Sequence, residues 1–196
     1  MGRAGRLPGQ LERPLLAGVR MGARGERGAS EADMERMREL AAAATRHLGT
    51  ARQTPFCADI VDATTGRRLV RRLNAVAAEH DPTSHAEVRA IRAATKKLKA
   101  TSLRGHVLYT TCEPCPMCMG AALWAGVDRV VYGATIGDAA RFCFQIYTSA
   151  RQLMRRSDLR CEVVGPVERG ACVALFEDRR MAEAMKLWRH RATGRS

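Results

Sequence analysis

No run of about 18 apolar residues occurs in this 196-residue chain, so none of its helices is expected to cross a membrane. The hydrophobic stretches are short and broken by Arg, Gly or Asp, and no apolar signal-peptide core stands near the N-terminus. Lysine is scarce, with 4 Lys against 29 Arg. A GC-rich codon bias produces that skew without any selection for binding, which weakens a nucleic-acid reading of the net charge of +13. Residues 1–30 contribute +4 of it through six Arg and two Glu, and +9 remains elsewhere. No internal repeat is found. The seven cysteines lack the even count and spacing of a secreted disulfide framework. Free or metal-bound thiols in a reducing compartment, the cytoplasm, are expected.

What is present organises into one domain with tails. Residues 1–30 hold seven Gly and two Pro without period, a composition expected to stay disordered. A single domain is expected over 31–190, followed by a short tail, 191–196. Ser30 with Asp33 marks an N-cap, and Met34, Met37, Leu40 and Ala41 recur at helical spacing to about His47. Phe56 to Val61 reads as a strand, Thr64-Thr65-Gly66 as a turn, and Arg67 to Asn74 as its hairpin partner. Asp81-Pro82-Thr83-Ser84 halts the chain before a helix from His85 to Leu98. A strand over Val107–Thr110, a helix over Pro116–Ala125 and a strand over Arg129–Tyr132 follow. Asp138 to Phe142 reads as a helical turn, Cys161 to Val164 as a last strand, and Arg169 to Trp188 as a C-terminal helix. In that helix Ala182, Met185 and Trp188 share one face, opposite Lys186. This order predicts an α/β sandwich around a mixed sheet.

The chemistry concentrates in two short segments. Cys115 and Cys118 stand three apart at a predicted helix start, so both sulfurs can face one point. The positive helix end favours their thiolates. His85 opens the other central helix and supplies a third ligand if the two N-termini meet. Three protein ligands leave the fourth tetrahedral position open, as in catalytic zinc sites, where a held water has a pKa near about 7. Glu87, one turn from the metal and not a ligand, is placed to shuttle protons. His-x-Glu followed by Pro-Cys-x-x-Cys is the signature of zinc deaminases. Other readings of the parts exist. Ser84 to Glu87 also fits a capping box, in which Glu87 only holds its helix. Cys115 and Cys118 also fit a redox dithiol, or with Cys112 and His85 a closed structural zinc. An iron–sulfur run lacks its last cysteine, since Ala122 occupies that position. Cys112 reads as a buried strand-end residue.

From about Pro55 to Leu175 the chain resembles the cytidine/deoxycytidylate deaminase superfamily, on the segments Asp81–Glu87 and Cys112–Ala121. The resemblance implies a three-layer α-β-α sandwich with a five-stranded mixed sheet, one zinc ion per subunit and a homodimer. It assigns base contacts to Asn74, Phe56 and Ala86, and places Trp124 as the tryptophan that helps enclose the base. Cys-Glu-Pro-Cys-Pro-Met-Cys with Trp124-Ala125 shortly after is closer to bacterial guanine deaminases than to tRNA adenosine deaminases. The tRNA enzymes carry His-Ser-Arg at Trp124-Ala125-Gly126 and a Lys-Gly-rich loop at Ile136–Ala139. One departure stands against guanine itself. Guanine deaminases carry Phe-Asp-Asp in a late segment, and Phe144-Gln145-Ile146 occupies that place here. Gln145 is therefore expected to read a different base edge.

The resulting expectation is a hydrolytic deaminase of a purine-type nucleobase or nucleoside. A tRNA or single-stranded nucleic-acid adenosine deaminase, a deaminase of cytosine or an aminated azine, and a zinc-stabilised binding module without catalysis are the alternatives.

Overall fold

The structure, a computed structural model, describes residues 28–181 together with 184 and 185. Within them the chain runs α1 (Glu31–Thr45), β1 (Cys57–Asp62), β2 (Arg68–Leu73), α2 (Val76–Glu79), α3 (Ala86–Leu98) and β3 (His106–Cys112). It continues with α4 (Pro116–Trp124), β4 (Arg129–Ala134), α5 (Ile136–Ala140), α6 (Ala150–Arg155), β5 (Glu162–Val164) and α7 (Arg169–Glu177).

The expected Ser30 cap is a full capping box, with the Asp33 carboxylate accepting the Ser30 N–H and the Ser30 hydroxyl accepting the Asp33 N–H. The β1–β2 turn is pinned by Asp62, whose Oδ1 accepts the N–H groups of Thr64 and Thr65. Gly66, at φ 67°, supplies the left-handed step that closes it.

The strands form one sheet in the order β2-β1-β3-β4-β5. β1 is antiparallel to both β2 and β3, whereas β3–β4 and β4–β5 are parallel. Alternation along each strand splits the core into two layers. Val107 and Tyr109 of β3 face Met37, Leu40, Leu175 and Phe176 of α1 and α7. Leu108 between them faces the opposite layer, with Ala90 and Ile91 of α3 and Met119 and Leu123 of α4. The expected three-layer sandwich around a mixed five-stranded sheet is the observed fold.

Parallel pairing brings the C-terminal ends of β3 and β4 together, with Cys112 opposite Ala134. In open α/β sheets that edge is where ligands collect, because the following loops and helix N-termini crowd there.

Two short helices, α2 and α6, were not foreseen. The expected C-terminal helix is interrupted, since Asp178 at ψ 129° leaves the helical region after Glu177, and helical backbone resumes over 179–181 and at 184 and 185. Met185 is buried, as its place on the apolar face required. Ala182, Lys186, Trp188, the expected tail 191–196 and the Arg/Gly-rich residues 1–27 lie outside the described residues.

Candidate active site

His85 is the N-cap residue of α3, and Cys115 is the N-cap residue of α4 with Pro116 just behind it. Pro at the first helical position lacks only an N–H that would have been unpartnered, so it starts the helix at no cost. Both N-cap side chains reach one common point. The His85 Nδ1 lies 3.6 Å from the Cys115 sulfur and 3.5 Å from the Cys118 sulfur. All three ligand atoms fall within 4.8 Å of one another. Sulfur at about 2.3 Å and nitrogen at about 2.05 Å from a tetrahedral ion stand about 3.6 Å apart, so the donor set fits zinc in both chemistry and spacing.

The thiol of Cys118 donates to Cys115 and holds it down at about 4, with His85 adding to the effect. The same bond, together with burial, pushes Cys118 far up. Cys112 is buried at the end of β3 with its S–H toward the Thr135 carbonyl at 4.0 Å, and burial raises it strongly. Among the described residues it does not join the metal-capable group.

Glu87 forms no capping box with Ser84. The Ser84 hydroxyl lies 2.5 Å from the Glu79 carboxylate and 3.1 Å from that of Asp81, and the N-cap of α3 is His85. Glu87 is instead 5% exposed, with its carboxyl pushed up by burial and held back by neighbouring His85 and by the Thr110 hydroxyl. Apart from its own backbone N–H in the first turn of α3, the carboxyl takes no part in capping the helix, and a buried carboxyl of that kind suits chemistry.

A cavity of about 630 Å³ joins these groups, large enough for a purine and its sugar. His85, Glu87 and Cys115 line it together with Phe56, Asn74 and Gln145. Phe56 is held edge-on against Phe176, with centroids 5.3 Å apart. The Asn74 N–H donates to the Phe56 carbonyl at 3.1 Å, which sets the end of the β1–β2 pairing beside the cavity. The side-chain amide of Gln145 donates to the Cys143 sulfur at 3.2 Å.

Two of the expected substrate contacts lie elsewhere. Ala86 is fully buried in the α3–α4 layer and does not line the cavity. Trp124 is 83% exposed and also stands outside it. It closes α4, whose N-terminus carries the cysteines, and eight residues of helix separate the two ends by about 12 Å.

Sequence reasoning missed Glu113 and Cys143. Glu113 is buried, and its two carboxylate oxygens accept the N–H groups of Ile136 (3.1 Å) and Ala150 (3.0 Å). A charged residue inside the Cys112–Pro114 turn was the available signal, because a buried carboxylate there must have partners. Cys143 carried no signal beyond its residue type.

Residues 30–134 match the model of the cytidine and deoxycytidylate deaminase zinc-binding region. The chain belongs to this family. Guanine deaminase of Bacillus subtilis is 49% identical over 90 residues, covering 46% of this chain and 56% of that protein. The match therefore spans about half the length of that relative. A probable cytosine deaminase of Schizosaccharomyces pombe is 31% identical over 143 residues, 70% of this chain and 85% of that one. The solved structure of a guanine deaminase from Nitrosomonas europaea shares the fold with a TM-score of 0.67 at 24% identity, over 79% of this chain and 87% of that chain. Zinc is the metal of the family region, and the His-Cys-Cys group here is the one that can hold it.

Proposed function

We propose that this chain is a zinc-dependent hydrolytic deaminase of a purine-type nucleobase or nucleoside. His85, Cys115 and Cys118 hold one zinc ion per subunit, and Glu87 carries the protons. The observation behind this reading is the meeting of an uncapped, buried Glu87 with the His-Cys-Cys group in one cavity. Zinc bound there lowers the pKa of a water to about 7 and so supplies a nucleophile at neutral pH.

Glu87 takes a proton from the attacking water and passes it to the ring nitrogen, then takes the remaining proton of the added hydroxyl and gives it to the departing amine. Water adds to the carbon bearing the amino group, the C–N bond breaks, a carbonyl forms and ammonia leaves. Phe56 offers an aromatic edge to the base, and Asn74 and Gln145 offer amides to its polar rim. Gln145 is neutral, so it can pair with a ring edge but cannot supply the charge of a carboxylate.

Exposed Trp124, Phe144, Ile146 and Tyr147 support a homodimer, because apolar groups of that size favour cover. Seven free cysteines support a reducing, cytoplasmic setting.

The test is ammonia release by zinc-loaded protein from guanine, guanosine, adenosine, cytosine, an aminated triazine and tRNA, with Glu87→Gln as control. Release from one small substrate, lost in Glu87→Gln while zinc and fold persist, is the expected result. Silence on every substrate would end the deaminase reading, and release from tRNA alone would replace the small substrate by a polymer.

A further inference from the structure

A second groove of about 760 Å³ opens beside the base cavity and shares Asn74 and Ala77 with it. Four arginines line it, Arg52, Arg71, Arg72 and Arg89, against Glu79 as the one acidic residue in the lining. Two of these arginines are committed. Arg71 forks onto the buried Asp59 carboxylate at 2.7 and 2.6 Å, and Arg89 reaches Glu79 through two nitrogens at 3.0 and 2.6 Å. The other two are not. Arg52 and Arg72 are exposed, and among the described residues neither is paired with a carboxylate. Arg72 spends one N–H on the Arg71 carbonyl, at 2.7 Å, and keeps the rest of its fork.

With a purine and its sugar in the base cavity, a group carried on that sugar can leave past the residues the two spaces share. Beyond them wait two guanidinium forks with no carboxylate partner among the described residues, the geometry that suits phosphate oxygens. His47, Thr50 and Gln53 add neutral polar groups to the same lining.

We infer that Arg52 and Arg72 bind the phosphate of a phosphorylated nucleoside whose base lies in the Glu87 cavity. This rests on the proposed reading of that cavity as the base pocket. It narrows the substrate class from bases and nucleosides to their phosphate esters. The phosphate can belong to a mononucleotide or to a strand, and the chemistry of the groove is the same for both.

The experiment measures binding, so it does not depend on turnover. Zinc-loaded Glu87→Gln protein is titrated by calorimetry with guanosine, guanosine 3′- and 5′-monophosphate and a single-stranded RNA dodecamer. The same titrations are run with Arg52→Ala and Arg72→Ala added singly and together. A phosphate ester is expected to bind at least about tenfold more tightly than guanosine, and the advantage should shrink with each arginine removed. It should also fall as salt rises, because both arginines are exposed. Preference for a monophosphate assigns the groove to a mononucleotide, and preference for the dodecamer alone assigns it to a strand. Equal binding of guanosine and every ester, or an advantage untouched by the double substitution, overturns the inference. Absence of ammonia release in the panel above would count against the deaminase reading alone.

Discussion

Asp33 and Arg129, 96 residues apart, form a two-pronged ion pair with Nη1–Oδ1 at 2.7 Å and Nη2–Oδ2 at 2.9 Å. The same carboxylate accepts the Tyr109 hydroxyl at 2.7 Å and the Ser30 N–H at 2.8 Å. One buried group thus ties the first turn of α1 to the middle of β3 and the start of β4. It holds the α1 layer onto the strands that carry the Cys112 end of the site. Asp33→Asn keeps the shape but removes the charge, leaving the Arg129 guanidinium only Glu162, at 3.1 Å, as a carboxylate partner. Removing one member of a buried pair costs about 3 kcal/mol, so the midpoint of chemical denaturation should fall accordingly. A loss below about 0.5 kcal/mol would show that the pair is solvated in the working protein.

The same pair predicts an acid limb of stability. Burial alone would raise the Asp33 carboxyl, but Arg129, Ser30 and Tyr109 together hold it down at about 2. A group depressed in the folded state contributes its stability above its unfolded pKa and loses it as pH falls through the folded one. The contribution should be complete above about pH 4 and decline toward pH 2, by about 2 kcal/mol in all. Asp138, held at about 2 mainly by Arg169, adds a limb of the same sign. Unfolding followed from pH 5 to pH 2 should show a shallower slope for Asp33→Asn than for the unaltered chain. Equal slopes would remove Asp33 as its source.

The parts of this architecture readable in advance were those set by local rules. The Ser30 cap, the Thr64–Gly66 turn and the alternation in β3 each follow from a few adjacent residues. His85, Glu87, Cys115 and Cys118 were legible because metal chemistry restricts ligand type and spacing. The role of Glu87 was ambiguous, since Ser-x-x-Glu also caps helices. Only the turn of Ser84 toward Glu79 and Asp81 separates the two possibilities, and that is tertiary information. α2 is four residues long with no side-chain cap, too short for a periodic signal. α6 does carry one, because Ser149 and Gln152 form a capping box at its start. The place of Trp124 outside the cavity depends on the direction of α4, which no local pattern encodes.

Glu113 offers a test of how the cavity is held open. Its carboxylate fixes Ile136 and Ala150, the two ends of the segment that brings Phe144, Gln145 and Ile146 to the lining. Glu113→Gln replaces one acceptor by a donor that faces an N–H, so one anchor is lost. Bonds to a charged acceptor are worth about 1.5–3 kcal/mol. If the proposed activity is present, KM should rise about tenfold with kcat changed less and zinc content unchanged. Loss of zinc instead would place the role of Glu113 in the adjacent Pro114–Cys118 turn.

Metal content distinguishes the three-ligand centre from one that recruits Cys112. Purified protein should carry one zinc per chain by atomic emission. Cys118→Ala should bring it well below stoichiometric and lower the Tm, because a ligand bound only by the folded state stabilises that state. Cys112→Ala should keep the zinc and lose only packing, since its sulfur points to the Thr135 carbonyl. Loss of zinc in Cys112→Ala would make the site a closed structural one and remove the open position that hydrolysis needs.

Gly133 in β4 lies directly against Cys172 of α7. A Cβ there would meet the Cys172 side chain inside any real contact distance and stand 2.9 Å from the Thr111 carbonyl. Gly133→Ala must therefore push α7 outward or twist β4 next to Ala134, the partner of Cys112. Overpacking of this kind costs about 1–3 kcal/mol. The cysteine is the softer of the two obstacles, because removing its sulfur opens space while the carbonyl stays. Gly133→Ala combined with Cys172→Gly should recover part of the loss in a double-mutant cycle. A recovery near zero would mean that the Thr111 carbonyl, and so the β3–β4 pairing itself, sets the limit.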